Sequence, residues 1–385
     1  MGLSGAADEE EFYYEKEISE KIISGRSIVI YGARIVAWEV ANCLMAAPYY
    51  CSIDAFMVTD LQDNPDNLLG VRVVALEEGK KLYKDSLIII AALERYLAQI
   101  KSNLDREGFR NVISLGFESD LWSGLRGNYF RSYLRKRGDK YTTLENELPK
   151  ISGNSRPQKC MHLYNVRCHA DKPIFVNARS FQWEIPIQAG AALTDIKIAK
   201  VSDDTGDNIS LKNPKYCELT ALYWIWKNDM ADYVGLSHYR RHFDLTEESI
   251  ERLMKSDIDI VLTIPILNFP NVKAAYENDH VKRDWDVMIE AIKELFPDYY
   301  NTAITVQNGI YYYAYNMFIS RRHILNEYCE WLFAILDYCE KKCEPKRDKY
   351  QNRFLGFLAE RLMTIFFIHN KERWKITHCN KNFFS

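Results

Sequence analysis

A short run of titratable and aromatic side chains, residues 237–243 with the sequence S-H-Y-R-R-H-F, directly follows an apolar segment that is typical of a buried strand. An α/β sheet usually binds its ligand at the carboxyl ends of its strands. Guanidinium groups bind phosphate through paired hydrogen bonds and stay charged at any relevant pH. The run therefore predicts a site for a phosphate-bearing ligand, and its candidate members are His238, Tyr239, Arg240 and Arg241.

The same residues also have a purely structural interpretation. The two arginines could form surface ion pairs with the acidic residues that follow, and His238 could be a core histidine. Adjacent residues of a strand point to opposite faces, so Arg240 and Arg241 can reach one site only if the strand has ended before them. The phosphate-binding hypothesis therefore requires a turn at this point.

A polar stretch, residues 202–218, precedes this strand and supplies further candidates. It is too polar to be buried without partners, so it predicts a loop, and loops at strand ends often carry function. The residues expected to contact the ligand are Asn208, Lys212 and Asn213. A magnesium or manganese site is the alternative, because carboxylate oxygens are hard ligands. Its members would be Asp203, Asp204 and Asp207, which are also common turn formers.

Three carboxylates and one histidine are further candidates for chemistry. Glu218 begins a predicted helix, where the helix dipole alone favours a carboxylate, so capping and ligand binding are equally good interpretations. Asp284 is a candidate base in residues 271–285, which have the character of a lid. Glu360 interrupts an apolar helical pattern and would face either solvent or a cleft as a base. His169 ends a strand and could contact a phosphate or ribose, or cap a turn.

Length and composition limit the class of protein. With 385 residues, 47% of them apolar, the chain can bury a substantial core, and its length predicts two domains. A net charge of -3 argues against nucleic-acid binding. The nine cysteines form no C-x-x-C pair, which indicates reduced thiols. The first residues have no apolar signal core, and no apolar run approaches the roughly 20 residues of a membrane span, so we expect a cytoplasmic protein.

Apolar runs alternate with helical patterns at the start of the chain, as in βαβ repeats. The predicted strands are 27–32, 53–58, 87–91 and 112–115, with a helix at 35–45. This order predicts a Rossmann-like domain with a mostly parallel sheet over residues 1–125. The turn after the first strand contains one glycine, Gly32, where the dinucleotide fingerprint needs three. A docking or scaffolding role is therefore preferred to nucleotide binding.

The sequence turns basic and polar over residues 126–158, which predicts a helix followed by a linker. This stretch could contact acidic lipid headgroups, although a solvated helix face is the simpler explanation. Residues 159–385 predict a second α/β domain. Its expected strands are 161–169, 196–201, 232–236, 258–262 and 310–319.

Several motifs of this second domain carry a family resemblance. They are D-D-T-G-D-N-I-S-x-K-N-P, Y-V-G-L-S-H-Y-R-R-H-F, Y-N-M-F-I-S, E-Y-C-E-W-L-F and G-F-L-A-E-R-L, in that order. Over about residues 160–378 the chain resembles the bacterial domain-of-unknown-function 4422 family, whose members are regarded as glycosyltransferases of capsular or exopolysaccharide synthesis. The resemblance implies a GT-A-like nucleotide-sugar fold. It does not cover the N-terminal domain.

The resemblance also implies an activity: transfer of a hexosyl unit from a nucleotide diphosphate sugar to a glycan acceptor that could be lipid-linked. Most GT-A enzymes hold a divalent cation on a D-x-D motif, but here the equivalent strand runs into S-H-Y-R-R, so we expect arginines to replace the cation. No cofactor is firmly predicted, and manganese or magnesium is the alternative. Asn316 corresponds to the asparagine of an N-S-G motif in some GT-A enzymes, which assigns it to sugar binding.

Two other functions stay open. The missing D-x-D motif and the added N-terminal domain would also suit a non-catalytic nucleotide-sugar or glycan-binding scaffold of a polysaccharide-synthesis complex. An oxidoreductase built on the N-terminal domain is weaker, because the glycines are absent. We expect no nucleic-acid partner, and a cationic segment at 371–375 could rest on the inner face of the membrane.

Overall fold

The chain divides into two units, Met1–Tyr141 and Thr142–Ser385. The structure, a computed structural model, describes residues 27–116, 119–150, 159–174 and 181–384, together with Ile22. The division between the units falls inside the segment predicted as a basic helix and linker. Residues 151–158 of that segment lie outside the described residues.

The first unit contains a six-stranded sheet in the order β3-β4-β2-β1-β5-β6. Its strands are β1 (Ile28–Tyr31), β2 (Ala55–Val58), β3 (Asn67–Leu68), β4 (Val71–Ala75), β5 (Leu87–Ala92) and β6 (Val112–Gly116). All neighbouring pairs are parallel except β3 with β4. The central strands are apolar at every position because they are buried on both faces. The predicted parallel α/β class is thereby confirmed.

Helices follow the strands of this unit. They are α1 (Ile35–Met45), α2 (Leu76–Leu82), α3 (Glu94–Arg106) and α4 (Asp120–Arg135). Between β1 and α1, Gly32 has a φ of +134°, and a Cβ there would lie 2.7 Å from the carbonyl oxygen of Ala91. This close approach accounts for the lone glycine of the turn without any bound ligand.

The second unit contains a larger sheet whose main path runs β16-β12-β15-β10-β7-β8-β9. Its strands are β7 (Met161–Arg167), β8 (Glu184–Gln188), β9 (Val201–Ser202), β10 (Tyr233–His238), β11 (Arg241–Phe243), β12 (Ile260–Thr263), β15 (Phe318–Arg321), β16 (Ile376–Cys379) and β17 (Lys381–Phe383). A separate two-stranded sheet pairs β13 (Ile266–Leu267) with β14 (Tyr311–Tyr312). Strands β10, β7, β8 and β9 are parallel, so their carboxyl ends meet at one edge.

The helices of the second unit pack around this sheet. They are α5 (Leu144–Glu147), α6 (Asn213–Tyr216), α7 (Leu219–Asn228), α8 (Glu247–Met254), α9 (Val272–Asp279), α10 (Lys282–Leu295), α11 (Tyr300–Asn308), α12 (Arg322–Lys342) and α13 (Phe354–His369). One apolar core joins Leu163 and Tyr233 of the sheet to Leu253 of α8. No helix among the described residues is both long and apolar enough to cross a membrane.

Two strand predictions in this unit are wrong. The single strand expected at 310–319 is interrupted, because Tyr315 and Asn316 have φ values of +73° and +51° and a strand cannot contain such residues. The strand expected at 196–201 is reduced to the short β9, and β8 takes the preceding place in the sheet. In both segments, β-branched or aromatic residues form an apolar pattern that is typical of a strand, but only part of the backbone is extended and paired.

Candidate active site

A tight hairpin follows the central strand β10. His238 pairs with Arg241 across the hairpin, so Tyr239 and Arg240 are its two loop residues. The strand has therefore ended before the arginines, as a shared site requires. The two side chains nevertheless diverge, because Arg240 donates to the carbonyl of Pro173 at 3.3 Å while the Arg241 guanidinium lies 4.3 Å from the ring centre of Tyr315.

Arg240 is one of three arginines that act on the same carboxylate. Asp171 follows β7 and accepts a hydrogen bond from the amide of Cys168 at 2.7 Å. Burial raises the pKa of the Asp171 carboxyl group, and the positive charges of Arg240, Arg167 and Arg353 oppose that rise. The charges of three arginines, which we call the arginine cluster, thus act on one carboxylate that follows β7.

Arg353 enters this cluster from a distant part of the sequence. It is the residue before α13, its side chain is exposed, and its Nε donates to the sulfur of Cys217 at 3.1 Å. The amino terminus of the 16-residue helix α13 adds partial positive charge at the same place. Sequence reasoning did not select Arg167, Asp171 or Arg353. Only Arg167, at the end of a predicted strand, carried a signal that could have been used.

A second cluster contains His238 and two carboxylates. The Nε2 of His238 donates to the carbonyl of Tyr315 at 2.5 Å, since a carbonyl can only accept. Burial lowers the pKa of His238, and the negative charge of Glu218 opposes that shift. His238 is therefore a neutral imidazole whose Nδ1 can accept a hydrogen bond.

Glu360 is the other carboxylate of this cluster. Its Oε1 accepts from the amide of Tyr315 at 2.6 Å and its Oε2 accepts from the guanidinium of Arg361 at 2.7 Å. Burial raises the pKa of Glu360, whereas Arg361 and Arg241 lower it and Glu218 raises it further. A carboxylate with a raised pKa is better suited to accept a proton near neutral pH than an ordinary one.

Unusual backbone conformations gather around these carboxylates. In the described part of the second unit, the non-glycine residues with positive φ are Cys217, Tyr315 and Asn316. The Asn316 amide donates to Glu218 Oε1 at 2.7 Å and to the carbonyl of Gly356 at 3.2 Å. Such conformations cost free energy and cluster at functional sites. The structure thus brings together Glu218, His238, Asn316 and Glu360 from four separate elements.

A buried polar network contacts the β10–β11 hairpin. The Asn165 amide donates to the carbonyl of His238 at 2.6 Å, and the Asn165 oxygen accepts from Nε of Arg167 at 2.9 Å. Ser237 donates to Glu184 Oε1 at 3.0 Å. His242 completes the network by contacting the other oxygen of Glu184 at 2.5 Å. These residues were not predicted, because their polar partners lie on different strands.

The predicted ligand contacts of the polar loop have other roles in this structure. Asn213 donates to the carbonyl of Cys217 at 2.8 Å, beside the end of β8. Lys212 forms an ion pair with Glu340 of α12 at 2.7 Å. The Asn208 oxygen accepts from the amide of Ser210 within its own loop at 3.2 Å. Of these three residues, only Asn213 therefore contacts a residue that is also bound by one of the arginines, since Cys217 accepts from Arg353.

Other candidates are placed as follows. His169 is exposed after β7, with its Nδ1 3.8 Å from the sulfur of Cys168. The Tyr239 ring lies 5.2 Å from the guanidinium carbon of Arg240. Asp284 is buried on α10 and forms an ion pair with Lys346 at 2.7 Å.

The three aspartates of the alternative metal site point to different partners. Asp203 accepts from the amides of Gly190 and Ala191 at 2.8 and 3.0 Å. Asp204 pairs with Lys197 at 3.0 Å, and Asp207 accepts from the hydroxyl of Tyr223 at 3.2 Å. In the described ranges, no group of three or more His, Cys, Asp or Glu side chains could hold a metal ion.

The cationic segment 371–375 also has internal partners. Arg373 pairs with Glu327 at 2.5 Å, and Lys375 pairs with Asp257 at 2.9 Å and with Glu147 at 3.0 Å. The positive charges of Arg373 and Lys375 are thus balanced by acidic residues of the second unit.

The fold defines an α/β protein in which Arg167 and Arg240 lie at the carboxyl ends of parallel strands. Residues 166–371 match the family described as Domain of unknown function (DUF4422), and this range is more than half of the chain. The chain therefore belongs to the DUF4422 family, and the predicted resemblance is confirmed.

A solved structure is also similar to this chain. It is an apo structure of the bifunctional glycosyltransferase WbbM, with 32% sequence identity and a TM-score of 0.53. The match covers 59% of this chain and 45% of the WbbM chain, so this protein matches less than half the length of that structure. No match was found among curated proteins.

Proposed function

We propose that this protein is a glycosyltransferase that moves a sugar from a nucleotide diphosphate sugar to a hydroxyl group of a glycan acceptor. The observation that carries the proposal is that the charges of Arg167, Arg240 and Arg353 all act on Asp171, while Arg353 is also acted on by Glu218 of the carboxylate cluster. The similarity to part of WbbM supports the same activity.

The arginine cluster would bind the diphosphate of the donor. Arg240 and Arg353 offer fixed charges, and guanidinium forks match the geometry of phosphate oxygens. As the sugar leaves, negative charge develops on the diphosphate, and preorganised cations stabilise that charge. Asp171 then competes with the diphosphate for the same three cations.

The carboxylate cluster would act on the sugars. Glu360 would take the proton of the acceptor hydroxyl, because its raised pKa suits a general base. Glu218, held by Asn316, would accept a hydrogen bond from a sugar hydroxyl. The neutral His238 would orient the same substrate through its Nδ1.

A divalent cation does not fit the aspartates of the polar loop. Asp203 already accepts two amide hydrogen bonds and one from the hydroxyl of Ser210, so its oxygens are not aimed at a shared ion. We therefore infer that arginine side chains, and not a manganese or magnesium ion, neutralise the diphosphate. The same proposal includes the GT-A class and a hexosyl donor. It also includes a lipid-linked acceptor of surface polysaccharide synthesis and a cytoplasmic location at the inner face of the membrane.

Turnover of a panel of nucleotide sugars with saccharide acceptors tests the function, measured with chelator and with added manganese. We expect turnover in chelator, and loss of nucleoside diphosphate affinity in Arg240→Ala and Arg353→Ala by roughly tenfold or more, the value of a charged hydrogen bond. Arg283→Ala is the matched control, because that arginine pairs with Glu290 on the surface of α10. Binding without turnover would favour a scaffold, and rescue of a chelated protein by manganese would refute arginine neutralisation.

A further inference from the structure

One face of α13 connects the arginine cluster to the carboxylate cluster. Arg353 directly precedes the helix, and Phe357 and Glu360 follow it by four and seven residues. Residues at this spacing lie on the same side of a helix. The face therefore carries a cation, an aromatic ring and a carboxylate in sequence. The aromatic ring has no part in the donor chemistry described above.

Phe357 belongs to a group of three neighbouring rings, which we call the ring cluster: His280, Tyr350 and Phe357. The His280 and Phe357 rings lie 4.1 Å apart with an angle of 22° between their planes. The Tyr350 ring lies 5.1 Å from Phe357 and 5.9 Å from His280. Tyr350 is 53% exposed, so the cluster reaches the surface.

The ring cluster is continuous with the candidate active site. The guanidinium carbon of Arg353 lies 5.6 Å from the centre of the Phe357 ring. The same arginine donates to Cys217, and the charges of Glu218 and the phenol of Tyr350 both act on it. Arg353 therefore connects the rings to the residues of the candidate active site.

The chemistry of the ring cluster suits an uncharged, amphipathic ligand. Burial, followed by the charge of Arg361, lowers the pKa of His280 to about 4, so its ring is neutral near pH 7. Two amide side chains directly follow Tyr350 in the chain. Gln351 acts on His280 and donates to the carbonyl of Asp279 at 2.9 Å, and Asn352 donates to the carbonyl of Pro214 at 3.3 Å. Apolar ring faces beside a few polar groups are typical of sites for small molecules.

We propose that the ring cluster binds a pyranose ring of the acceptor glycan, with the apolar C–H face of the sugar on Tyr350 and Phe357 and its hydroxyl groups on the amide side chains that follow Tyr350. This position places the acceptor next to Glu360, the proposed base. The inference rests on the proposed glycosyltransferase function and adds the acceptor subsite to it. A sugar is favoured over an anionic ligand because the rings themselves carry no positive charge near neutral pH.

Saturation-transfer NMR with the methyl glycosides of glucose, galactose and mannose tests the subsite, with the full chain and no donor present. We expect transfer to the C–H protons of at least one glycoside. Tyr350→Ala should weaken its binding roughly fivefold, because ring contacts of this kind contribute about 1 kcal/mol, whereas Tyr350→Phe should keep it. Tyr96→Ala is the control, since Tyr96 is an exposed tyrosine of the first unit.

The outcomes separate this inference from the proposed function, provided that nucleoside diphosphate binding is measured on the same samples. Nucleotide binding with no saturation transfer to any glycoside, or equal binding in Tyr350→Ala, overturns the subsite and leaves the donor site standing. Glycoside binding that Tyr350→Ala weakens, without nucleotide binding, supports the subsite and overturns the transferase proposal. In an active enzyme, Tyr350→Ala should raise KM for the acceptor.

Discussion

The imidazole Nδ1 of His242 lies 2.5 Å from a carboxylate oxygen of Glu184, and both side chains are almost fully buried. The other ring nitrogen of His242 lies 3.3 Å from the carbonyl of Tyr239, in the loop of the β10–β11 hairpin. The pair therefore ties β8 to the turn that carries Arg240.

Removing one partner of this pair should destabilise the second unit strongly. Glu184→Ala would leave the buried side chains of His242 and Ser237 without their carboxylate partner, which typically costs about 1–3 kcal/mol for each unsatisfied group. Urea unfolding followed by tryptophan fluorescence measures the loss. The double variant Glu184→Leu/His242→Phe should recover part of it, because apolar side chains of similar volume carry no desolvation penalty. Equal stability of Glu184→Ala and the parent would contradict the role assigned to this pair.

The pH dependence of sugar transfer should report the ionisation of Glu360. Burial raises the pKa of this base, and the base must be deprotonated to act, so kcat/KM should rise with pH along a limb that lies above the range of an ordinary carboxyl group. The charge of Arg241 lowers the same pKa, so Arg241→Gln should move the limb to higher pH. Glu360→Gln should remove the limb together with most of the activity. A limb that Arg241→Gln moves to lower pH would exclude Glu360 as its origin.

Asp171→Asn should increase affinity for a nucleoside diphosphate. The variant removes the charge that competes for three arginines, whereas its side-chain oxygen can still accept from the amide of Cys168. An ion pair at a protein surface is worth up to about 1 kcal/mol, which corresponds to roughly fivefold tighter binding. Calorimetry with uridine and guanosine diphosphates measures the change, with Asp85→Asn of the first unit as the control. Weaker binding by Asp171→Asn would indicate that the carboxylate itself contributes to the site.

The left-handed backbone at Asn316 should distinguish two substitutions that both remove its amide. With φ at +51°, alanine is disfavoured at this position, whereas glycine adopts the conformation freely. We expect Asn316→Gly to be more stable than Asn316→Ala by about 1 kcal/mol in urea unfolding. Both variants should lose activity, because Glu218 loses its hydrogen-bond donor. If the alanine variant were the more stable, the backbone at this position would not be left-handed in solution.

Local patterns in the sequence predicted the framework of the site well. The apolar run before His238 is the central strand β10, and the turn that the phosphate hypothesis requires is present after it. Glu218, Asn316 and Glu360 were selected separately, on a helix start, a family motif and an interrupted apolar pattern. The hydrogen bond from Asn316 to Glu218 now joins two of them.

The missed residues depend on contacts between distant parts of the chain. Arg353 reaches Cys217 across 136 positions in the sequence, and nothing in its neighbourhood distinguishes it from the other basic residues before α13. Conversely, the predicted ligand contact Lys212 pairs with Glu340 across 128 positions. Charge type and loop position are visible in a sequence, but the partner that uses the charge is fixed only by tertiary packing.

The regular rise of α13 sets a distance that no loop movement can alter. At about 1.5 Å per residue, the six positions from Phe354, which directly follows Arg353, to Glu360 span roughly 9 Å along one helix. This length of helix separates the arginine that would bind the diphosphate of the donor from the carboxylate that would receive the proton. One residue inserted between Phe354 and Glu360 would rotate the Glu360 side chain by about 100° around the helix axis and leave Arg353 in place.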